Sequence, residues 1–412
     1  MNVKVYNSKY FGEVNAVSSK SYAHRLIISA SLKKGETLIE NVGNSEDVVA
    51  TARCMNALGA KVELFCGNAK VRGIEKLNKG ATLDAGESGS TLRFLLPIVT
   101  ALGGDATFDG RGRLLSRPND ALIKTLNDNG ANVNGVKAFG QLKSGNFEID
   151  ATVSSQYITG LLFALPLLNG DSRINFIGNP VSKNYLDITK EILDLSGIKY
   201  LEDEKGYTVF GGQEYSLPDK VVCEGDWSSA SFMLVAGAIG GKVRTNGLNL
   251  NSKQGDKLVL DVLKDFGAKI VCKNNSVTVE KNQNKPFNAY LDNAPDLAPI
   301  LSLLASCGDG ESRLYGVERL KIKESDRLNA IIETLSKANI PANYNGEYLT
   351  IIGKEPQSAL FSGYNDHRMV MTAVLLSGLA EGVSTVTDGE AINKSYPSFY
   401  EDFKKIGGKL DV

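Results

Sequence analysis

The chain has few of the residues that build disulfide frameworks and metal sites. Its 412 residues include five cysteines and two histidines, and no Cys-X-X-Cys pair occurs. An odd number of scattered cysteines argues against a disulfide scaffold and favours reduced thiols in a cytoplasmic protein. With His24 and His367 as the two histidines, a histidine-based metal site is not expected.

Long apolar runs and an excess of charge are also missing. No segment approaches the ~18 apolar residues of a membrane-spanning helix, and the first ten residues contain no apolar stretch of signal-peptide length. The net charge is −1, so no overall field attracts nucleic acid or anionic lipid. We therefore expect a cytoplasmic protein without a nucleic-acid or membrane partner, in which any anion site is built locally.

What the chain does contain is a pattern that recurs six times, every roughly 70 residues. In each unit a polar opening precedes about a dozen mostly apolar residues, a Gly-rich break, a strand-like stretch and an amphipathic segment. The openings lie at Lys20, Ser88, Ser154, Asp226, Asp296 and Asp366. Each unit ends on a Gly-Ala-Lys-like tail, and the tails begin at Gly59, Gly130, Gly197, Gly267, Ala338 and Gly407.

The fourth unit shows how the pattern predicts secondary structure. Residues 228–239 are apolar on most sides, which predicts a buried helix that ends at Gly240-Gly241. A strand is predicted over 242–246, a second helix over 258–266, and a further strand from residue 268. The predicted order in every unit is helix, strand, helix, strand.

The repeat also predicts the arrangement of the units. A chain of 412 residues is too long for one core, and a helix that is buried on all sides needs several neighbours. Six units therefore suggest two domains of three, with a crossover near residues 211–225. Since helix N-termini attract anions, we expect a cleft for anionic ligands if the six buried helices begin there.

The first opening combines two cations with a hydroxyl. Lys20, Ser21 and Arg25 lie within a turn and a half of one predicted helix. A capped helix with solvated cations is the alternative interpretation. At the second opening, Gly89 would let a ligand approach the backbone, and Arg93 could assist. A Gly-Ser loop that merely caps a helix is equally compatible with this second segment.

Arginine is unusually dense after the second opening. Arg111, Arg113 and Arg117 are three of the 13 arginines in the chain, and they lie beside glycine and proline. The planar guanidinium matches carboxylate and phosphate. A surface loop would explain one or two of these residues more easily than all three.

Neutral donors follow at the third opening, which supplies Ser154, Ser155 and Gln156, with Ser182 and Tyr185 in the loop beyond. A serine at a helix start is usually only a cap, so these residues indicate a site only as a group.

The last three openings add carboxylates. Asp226 has the position of a plain N-cap, and Asp296 is also an N-cap candidate. After Asp296 comes the dense charged run Lys323-Glu324-Ser325-Asp326-Arg327. The sixth opening reads Asn365-Asp366-His367-Arg368-Met369, and Lys394 lies in the loop beyond.

Together these segments resemble the 5-enolpyruvylshikimate-3-phosphate synthases, a family of enolpyruvyl transferases in the shikimate pathway. The resemblance covers nearly the whole chain in order. It rests on segments at both ends of the repeat series: residues 19–25, 89–93, 113–118, 154–156, 323–327 and 365–369, with Asp296 and Lys394. The two charged motifs at 323–327 and 365–369 are the most specific of these.

The resemblance implies a mixed α/β fold of two similar domains, an inside-out α/β barrel in which each domain packs three repeats as buried helices surrounded by sheets. The expected domains are 15–223, and 1–14 with 224–412, with the substrate cleft between them. The implied reaction joins phosphoenolpyruvate to the 5-hydroxyl of shikimate 3-phosphate and releases phosphate. No metal or organic cofactor is implied, and we expect a monomer.

The family's functional residues carry over to matching positions. The resemblance implies that phosphoenolpyruvate is bound by cations, a backbone amide and an amide side chain: Lys20, Gly89, Arg117, Gln156, Arg327, Arg368 and Lys394. It implies that shikimate 3-phosphate is bound mainly by hydroxyls and cations: Ser21, Arg25, Ser154, Ser155, Gln156, Ser182, Tyr185, Asp296, Arg319 and Lys323. Asp296 is the candidate base for the 5-hydroxyl, and Glu324 and Lys20 are both candidates for the acid that protonates carbon.

Two segments depart from the family pattern. Arg319 stands where many members have Asn, so that contact with substrate is open. The second opening reads Glu87-Ser88-Gly89-Ser90-Thr91 instead of the commoner Asn-Ala-Gly-Thr-Ala. We therefore expect an altered sensitivity to glyphosate, a phosphonate that competes with phosphoenolpyruvate in this family.

Three other classes of protein fit the sequence less well. Enolpyruvyl transferases that act on UDP-N-acetylglucosamine share the repeats but generally carry a reactive Cys, occasionally Asp, where this chain has residues 111–117. RNA 3′-phosphate cyclases use related repeats but bring a catalytic histidine context that is missing here. A non-catalytic anion-binding scaffold would gain nothing from the carboxylates of Asp296 and Glu324 near phosphate.

Overall fold

The computed structural model describes all residues from Met1 to Val412. It contains twelve α-helices, two in each repeat, which follow one another along the chain. The helices are α1 (Lys20–Leu32), α2 (Glu46–Leu58), α3 (Gly89–Ala101), α4 (Asp120–Asp128), α5 (Ser155–Ala164), α6 (Lys183–Leu195), α7 (Trp227–Gly240), α8 (Val259–Phe266), α9 (Ala298–Ser306), α10 (Arg327–Lys337), α11 (His367–Leu379) and α12 (Phe399–Lys405).

The strands are short and form six sheets. They are β1 (Val3–Tyr6), β2 (Tyr10–Asn15), β3 (Glu36–Glu40), β4 (Lys61–Phe65), β5 (Asn68–Arg72), β6 (Ala81–Asp84), β7 (Ala106–Asp109), β8 (Ala131–Asn134), β9 (Lys137–Gly140), β10 (Asn146–Asp150), β11 (Ser172–Ile177), β12 (Tyr200–Asp203), β13 (Gly206–Val209), β14 (Lys220–Val222), β15 (Gly241–Asn246), β16 (Lys269–Lys273), β17 (Ser276–Glu280), β18 (Asn288–Tyr290), β19 (Glu311–Tyr315), β20 (Ala342–Tyr344), β21 (Tyr348–Ile352), β22 (Leu360–Phe361), β23 (Val383–Val386) and β24 (Lys409–Asp411).

Every sheet has four strands in the same arrangement. In the order β6-β7-β9-β8, for example, β6 and β7 are parallel and flank α3, whereas β9 is antiparallel to both β7 and β8. The predicted order of helix, strand, helix, strand was therefore incomplete. It lacked the strand before each first helix and the last strand of each hairpin, which are mostly three to five residues long and too short to show a clear period.

The chain divides into two compact units, and it passes between them twice. We call Ser18–Cys223 the N-terminal unit, and Met1–Val17 with Glu224–Val412 the C-terminal unit. The strand β14 pairs with β3 in the N-terminal unit, whereas β1 and β2 join sheets of the C-terminal unit. The boundary predicted before residue 15 was too early, because Asn15 pairs with Asn246 in the C-terminal unit.

The first helix of each repeat lies inside its unit, as the sequence predicts. Every residue from Trp227 to Ile239 of α7 is buried. The second helices are amphipathic: α8, for example, buries Val259, Val262, Leu263 and Phe266 on one face. In the C-terminal unit α7, α9 and α11 contact one another pairwise. The predicted fold class, buried helices surrounded by small sheets, is confirmed.

Four openings are N-caps that fix where an inner helix begins. The side chains of Ser88, Ser154, Asp226 and Asp366 each accept a hydrogen bond from a backbone N–H two or three residues later. Asp296 was also predicted to be an N-cap, but this prediction was wrong. It lies within a 3₁₀ turn, Pro295–Leu297, that precedes α9, and its side chain accepts hydrogen bonds from Arg327 and Arg368.

Candidate active site

The start of α1 places a cation next to a carboxylate. The Nζ atom of Lys20 lies 2.8 Å from Oδ2 of Asp47, which belongs to the first turn of α2. Both side chains are mostly shielded, with 19% and 14% exposure. The pair holds the ammonium group at the opening, where the sequence places a cation for an anionic ligand.

The guanidinium of Arg25 is buried within the N-terminal unit. Its Nη1 donates to the carbonyl of Ser21 at 2.7 Å, its Nη2 to the carbonyl of Tyr185 at 3.1 Å, and its Nε to Oγ1 of Thr189 at 2.9 Å. Burial lowers the pKa of Arg25 to about 10, and Tyr185 opposes this shift. The contacts bring together Arg25, Ser21 and Tyr185, three of the residues for which the family resemblance implies a role in binding shikimate 3-phosphate.

The second opening packs against Arg117. A Cβ atom on Gly89 would lie 2.8 Å from Nη1 of Arg117, so the guanidinium lies directly against the glycine backbone. Arg117 follows a short 3₁₀ turn, Leu114–Ser116. Arg111 instead pairs with Asp84 at 2.9 Å and is 68% exposed, which fits the surface-loop interpretation for that arginine.

Gln156 is oriented at both ends of its amide. Its Oε1 accepts from Nη1 of Arg93 at 2.7 Å, and its Nε2 donates to Oγ of Ser90 at 2.9 Å. Arg93 in turn donates to the carbonyl of Pro118 at 2.8 Å and to Oδ1 of Asn119 at 2.9 Å. Arg93 thus fixes both the amide and the loop that follows Arg117.

The remaining hydroxyls of the N-terminal unit lie at helix starts. Ser154 caps α5 by accepting from the backbone N–H of Gln156 at 3.3 Å, and Ser155 is the first residue of that helix. Ser182 precedes α6 with φ of 53°, a left-handed conformation that is uncommon outside glycine and asparagine. Ser154, Ser155 and Ser182 are all buried.

In the C-terminal unit the carboxylate of Asp296 lies among three cations. Its Oδ1 is 2.8 Å from Nη1 of Arg327 and 3.4 Å from Nζ of Lys323. Its Oδ2 is 3.2 Å from Nη2 of Arg368. The charged runs at 323–327 and 365–369 therefore converge on one carboxylate that is 19% exposed.

Arg327 is the centre of this cluster. Besides Asp296, it contacts Glu324 at 2.7 Å and Oδ2 of Asp366 at 2.7 Å. Burial by itself lowers the pKa of Arg327, but the carboxylates of Asp366, Glu324 and Asp296 outweigh it and raise the pKa. The guanidinium therefore stays charged although it is 1% exposed.

The other titratable groups of the cluster follow the same balance of burial and charge. Burial lowers the pKa of Lys323, with help from Arg327, while Asp296 acts in the opposite direction. Burial raises the pKa of Asp366, but Arg327 and His367 overcome it, so that the net shift is downward. Burial and the neighbouring Asp296 raise the pKa of Asp256 to about 6.

Two further predicted residues lie on 3₁₀ segments of the C-terminal unit. Lys394 ends the segment Gly389–Lys394, is buried, and donates from Nζ to the carbonyl of Asn365 at 2.6 Å, immediately before the cap Asp366. Arg319 lies in the segment Glu318–Ile322 that leads into Lys323.

The sequence did not single out Asp47, Asp256 and Asp366 as site residues, although Asp366 stood in a quoted motif. Asp366 was visible as a capping position, but its ion pair with Arg327 joins residues 39 positions apart. Asp47 is an ordinary acid in a first helical turn. Asp256, whose Oδ1 accepts from Oγ of Ser228 at 2.8 Å, gives no sequence signal at all.

Comparison with known proteins identifies the family. The family model described as EPSP synthase (3-phosphoshikimate 1-carboxyvinyltransferase) matches residues 6–403. The chain belongs to the EPSP synthase family. Two similar proteins named 3-phosphoshikimate 1-carboxyvinyltransferase come from Clostridium novyi and Brachyspira hyodysenteriae. The first is 37% identical over 428 residues, covering 100% of this chain and 98% of the relative, and the second is 37% identical over 420 residues, covering 100% of both.

Solved structures agree on the fold. An EPSP synthase from Acinetobacter baumannii superimposes with a TM-score of 0.84 at 22% identity and covers 100% of both chains. The enolpyruvyl transferase NikO from Streptomyces tendae gives a TM-score of 0.82 at 15% identity, covering 100% of this chain and 98% of its own. In this EPSP synthase family member, no helix combines the length and apolar character needed to cross a membrane.

Proposed function

We propose that the chain transfers the enolpyruvyl group of phosphoenolpyruvate to the 5-hydroxyl of shikimate 3-phosphate and releases phosphate. The observation that carries the proposal is the carboxylate of Asp296 held by Lys323, Arg327 and Arg368, in a chain whose relatives bear the name of this activity. A carboxylate among fixed cations can accept a proton from a hydroxyl while the cations hold the anionic groups of the substrates.

Phosphoenolpyruvate brings a phosphate and a carboxylate that need fixed cations. We assign Arg327, Arg368 and Lys394 of the C-terminal unit, and Lys20 and Arg117 of the N-terminal unit, to this ligand. The carboxylates that contact Arg327 and Arg368 orient both guanidinium groups before a ligand arrives. The backbone amide of Gly89, beside Arg117, serves the phosphate, because an unpaired N–H at a helix start attracts anions.

Shikimate 3-phosphate carries a phosphate and a carboxylate on a polyhydroxylated ring. We assign Arg25, Ser21 and Tyr185 to it because Arg25 holds these residues together. Three serines at the starts of α5 and α6 add hydroxyl groups, and Gln156 adds an amide that Arg93 orients. Lys323 contacts Asp296 and adds a cation, and Arg319 lies in the preceding turn.

The chemistry proceeds by addition and elimination through a tetrahedral intermediate. Asp296 accepts the proton of the 5-hydroxyl while the oxygen forms a bond to C2 of phosphoenolpyruvate, and an acid adds a proton to C3. Loss of a proton from C3 then expels phosphate and restores the double bond, so that atoms and charge balance. Glu324 and Lys20 both remain candidates for the acid.

A phosphate-release assay tests the proposal. Purified protein is incubated with phosphoenolpyruvate and either shikimate 3-phosphate or UDP-N-acetylglucosamine. The proposal expects release that depends on shikimate 3-phosphate. Release only with UDP-N-acetylglucosamine would favour the related transferase activity, and release with neither would favour an anion-binding scaffold.

We further propose that the protein acts as a monomer in the cytoplasm. The cytoplasmic location is supported by the five cysteines, none of which is joined in a disulfide, since a reducing compartment keeps thiols in this state.

A further inference from the structure

A series of side-chain hydrogen bonds connects His24 to Ser88 in the N-terminal unit. We call it the His24–Ser88 network. Nδ1 of His24 lies 2.7 Å from Oγ1 of Thr51, and this oxygen lies 2.6 Å from Oγ1 of Thr91. Oγ1 of Thr91 donates to Oγ of Ser88 at 2.8 Å. All four side chains are buried, and they lie on α1, α2, α3 and at the cap of α3.

Each group in the His24–Ser88 network donates its hydrogen bond toward Ser88. Because Thr91 uses its hydroxyl hydrogen on Ser88, Thr51 must donate to Thr91. The hydroxyl hydrogen of Thr51 is then used, so Nδ1 of His24 must be the donor to Thr51. The alternative bond from Thr51 to the carbonyl of Asp47 is 3.5 Å long and therefore much weaker.

The required tautomer of His24 agrees with its surroundings. Burial lowers the pKa of His24 well below its ordinary value, and the cations Lys20 and Arg25 lower it further, so the ring is neutral. A neutral ring that donates from Nδ1 has an unprotonated Nε2, and Nε2 is buried without a hydrogen-bond partner. The ring is further held edge-on to Phe94, with ring centroids 6.5 Å apart.

Both ends of the His24–Ser88 network lie next to groups that we assign to phosphoenolpyruvate. His24 is four residues after Lys20 on α1, and Thr51 is four residues after Asp47, the ion-pair partner of Lys20, on α2. At the other end, Ser88 also accepts from the backbone N–H of Thr91 and immediately precedes Gly89. The His24–Ser88 network therefore links the helix turn that carries Lys20 to the helix turn that presents the Gly89 amide.

We propose that His24, Thr51 and Thr91 are positioning residues that fix the starts of α1 and α3 relative to each other, so that Lys20 and the Gly89 amide act on one phosphoenolpyruvate molecule. This inference rests on the proposed function. The faces of α1, α2 and α3 around these bonds are largely apolar, and apolar contacts have no preferred direction, whereas hydrogen bonds are directional and define one register. Small displacements of binding groups have large effects on affinity and rate.

The test removes single hydroxyl groups without changing side-chain shape. Thr51→Val and Thr91→Val should each raise the KM for phosphoenolpyruvate about tenfold, the effect expected for one misplaced polar contact. The KM for shikimate 3-phosphate should change less than twofold, because Arg25 is held by Thr189 and two backbone carbonyls that do not belong to the His24–Ser88 network. Thr51→Ser and Thr91→Ser keep the hydroxyl and should retain the wild-type KM.

Thr100→Val is the matched control. Thr100 is buried near the opposite end of α3. Its hydroxyl donates to the carbonyl of Pro97 at 2.9 Å and takes no part in the His24–Ser88 network. It should lower the melting temperature as much as Thr51→Val and leave both KM values unchanged. If Thr51→Val and Thr100→Val have the same kinetic constants, the hydroxyls only stabilise the fold and the inference is wrong.

A double variant and a binding measurement complete the test. The double variant Thr51→Val/Thr91→Val should raise the KM for phosphoenolpyruvate little beyond either single change, because one missing hydroxyl already interrupts the His24–Ser88 network. If the two single effects instead multiply, the two residues act independently and the shared role is contradicted. The rise in melting temperature that phosphoenolpyruvate causes is measured in parallel and should shrink in both Val variants. A wild-type protein that is stabilised by phosphoenolpyruvate but releases no phosphate would refute the proposed reaction alone. An equal thermal shift in wild type and Thr51→Val would refute the positioning role.

Discussion

The Nε atom of Arg327 donates to Oδ2 of Asp366 at 2.7 Å, and both side chains are almost completely buried. Asp366 also caps α11, so this ion pair ties the start of α10 to the start of α11. Removal of one partner of a buried ion pair leaves an uncompensated charge, which is much more costly than the loss of an exposed pair.

Arg327→Met should therefore destabilise the protein strongly. It leaves three carboxylates, Asp296, Glu324 and Asp366, without their shared cation. We expect the free energy of unfolding to fall by about 3–5 kcal/mol, measured by urea denaturation. Arg313→Met is the control, since its pair with Glu311 is exposed and should contribute at most about 1 kcal/mol. Equal losses in the two variants would contradict the central place of Arg327.

Asp296→Asn should separate catalysis from binding. The amide keeps the size of the side chain but cannot act as a base, so we expect kcat to fall about 10²–10⁴-fold while both KM values change only a few-fold. Steady-state phosphate release measures both quantities. Asp261→Asn on the exposed face of α8 makes the same chemical change away from the site and should be silent. An unchanged kcat in Asp296→Asn would remove this residue as the base.

Asp256 should give the stability of the protein a specific pH dependence. Burial and the neighbouring Asp296 raise its pKa from the ordinary 3.8 to about 6. The folded state then binds this proton more tightly than the unfolded chain does. The carboxyl group therefore contributes stability below about pH 4, and this contribution is lost as the pH rises through about 6.

Asp256→Asn removes this titration. The free energy of unfolding of the variant, relative to wild type, should rise between pH 4 and pH 6 and level off above pH 6, as followed by urea denaturation at stepped pH values. A difference that stays constant over this range would show that Asp256 titrates normally in the folded protein.

The unusual second opening should affect inhibition by glyphosate. Ser88 and Thr91 hydrogen-bond to each other beside Gly89, which the Ala residues of the common Asn-Ala-Gly-Thr-Ala loop could not do. We expect the inhibition constant, measured against phosphoenolpyruvate, to differ from that of enzymes with the common loop. Conversion of Glu87, Ser88, Ser90 and Thr91 to the common residues should shift the constant toward theirs. A wild-type constant that already matches theirs would contradict this expectation.

Local signals explain which parts of the fold could be predicted. The buried helix expected over 228–239 is observed at Trp227–Gly240, because an aspartate cap at one end and a glycine pair at the other act within a few residues. The strand β14 escaped prediction because its three residues are too few to show alternation and its partner β3 lies far away in sequence. The same reason applies to β2, whose partner β15 lies more than 200 residues later in the chain.

In the candidate site, too, local sequence predicted the residue types but not the contacts between distant residues. The residue types at the openings pointed to anions, and the resemblance supplied roles, but no pattern indicated that Lys20 pairs with Asp47 or that Arg327 contacts three carboxylates. Asp296 illustrates the limit most clearly. Its sequence position suits a cap, yet Pro295 opens a 3₁₀ turn there and tertiary ion pairs with Arg327 and Arg368 orient the carboxylate.

The most direct test of the central claim is to follow the phosphorus and vinyl signals by NMR in one reaction mixture. The protein is added to equal amounts of phosphoenolpyruvate and shikimate 3-phosphate. We predict one inorganic phosphate for each shikimate 3-phosphate consumed, together with vinyl protons on a product that retains the 3-phosphate. Unchanged spectra, or phosphate released without a new vinyl ether, would contradict the assignment of this chain as an enolpyruvyl transferase acting on shikimate 3-phosphate.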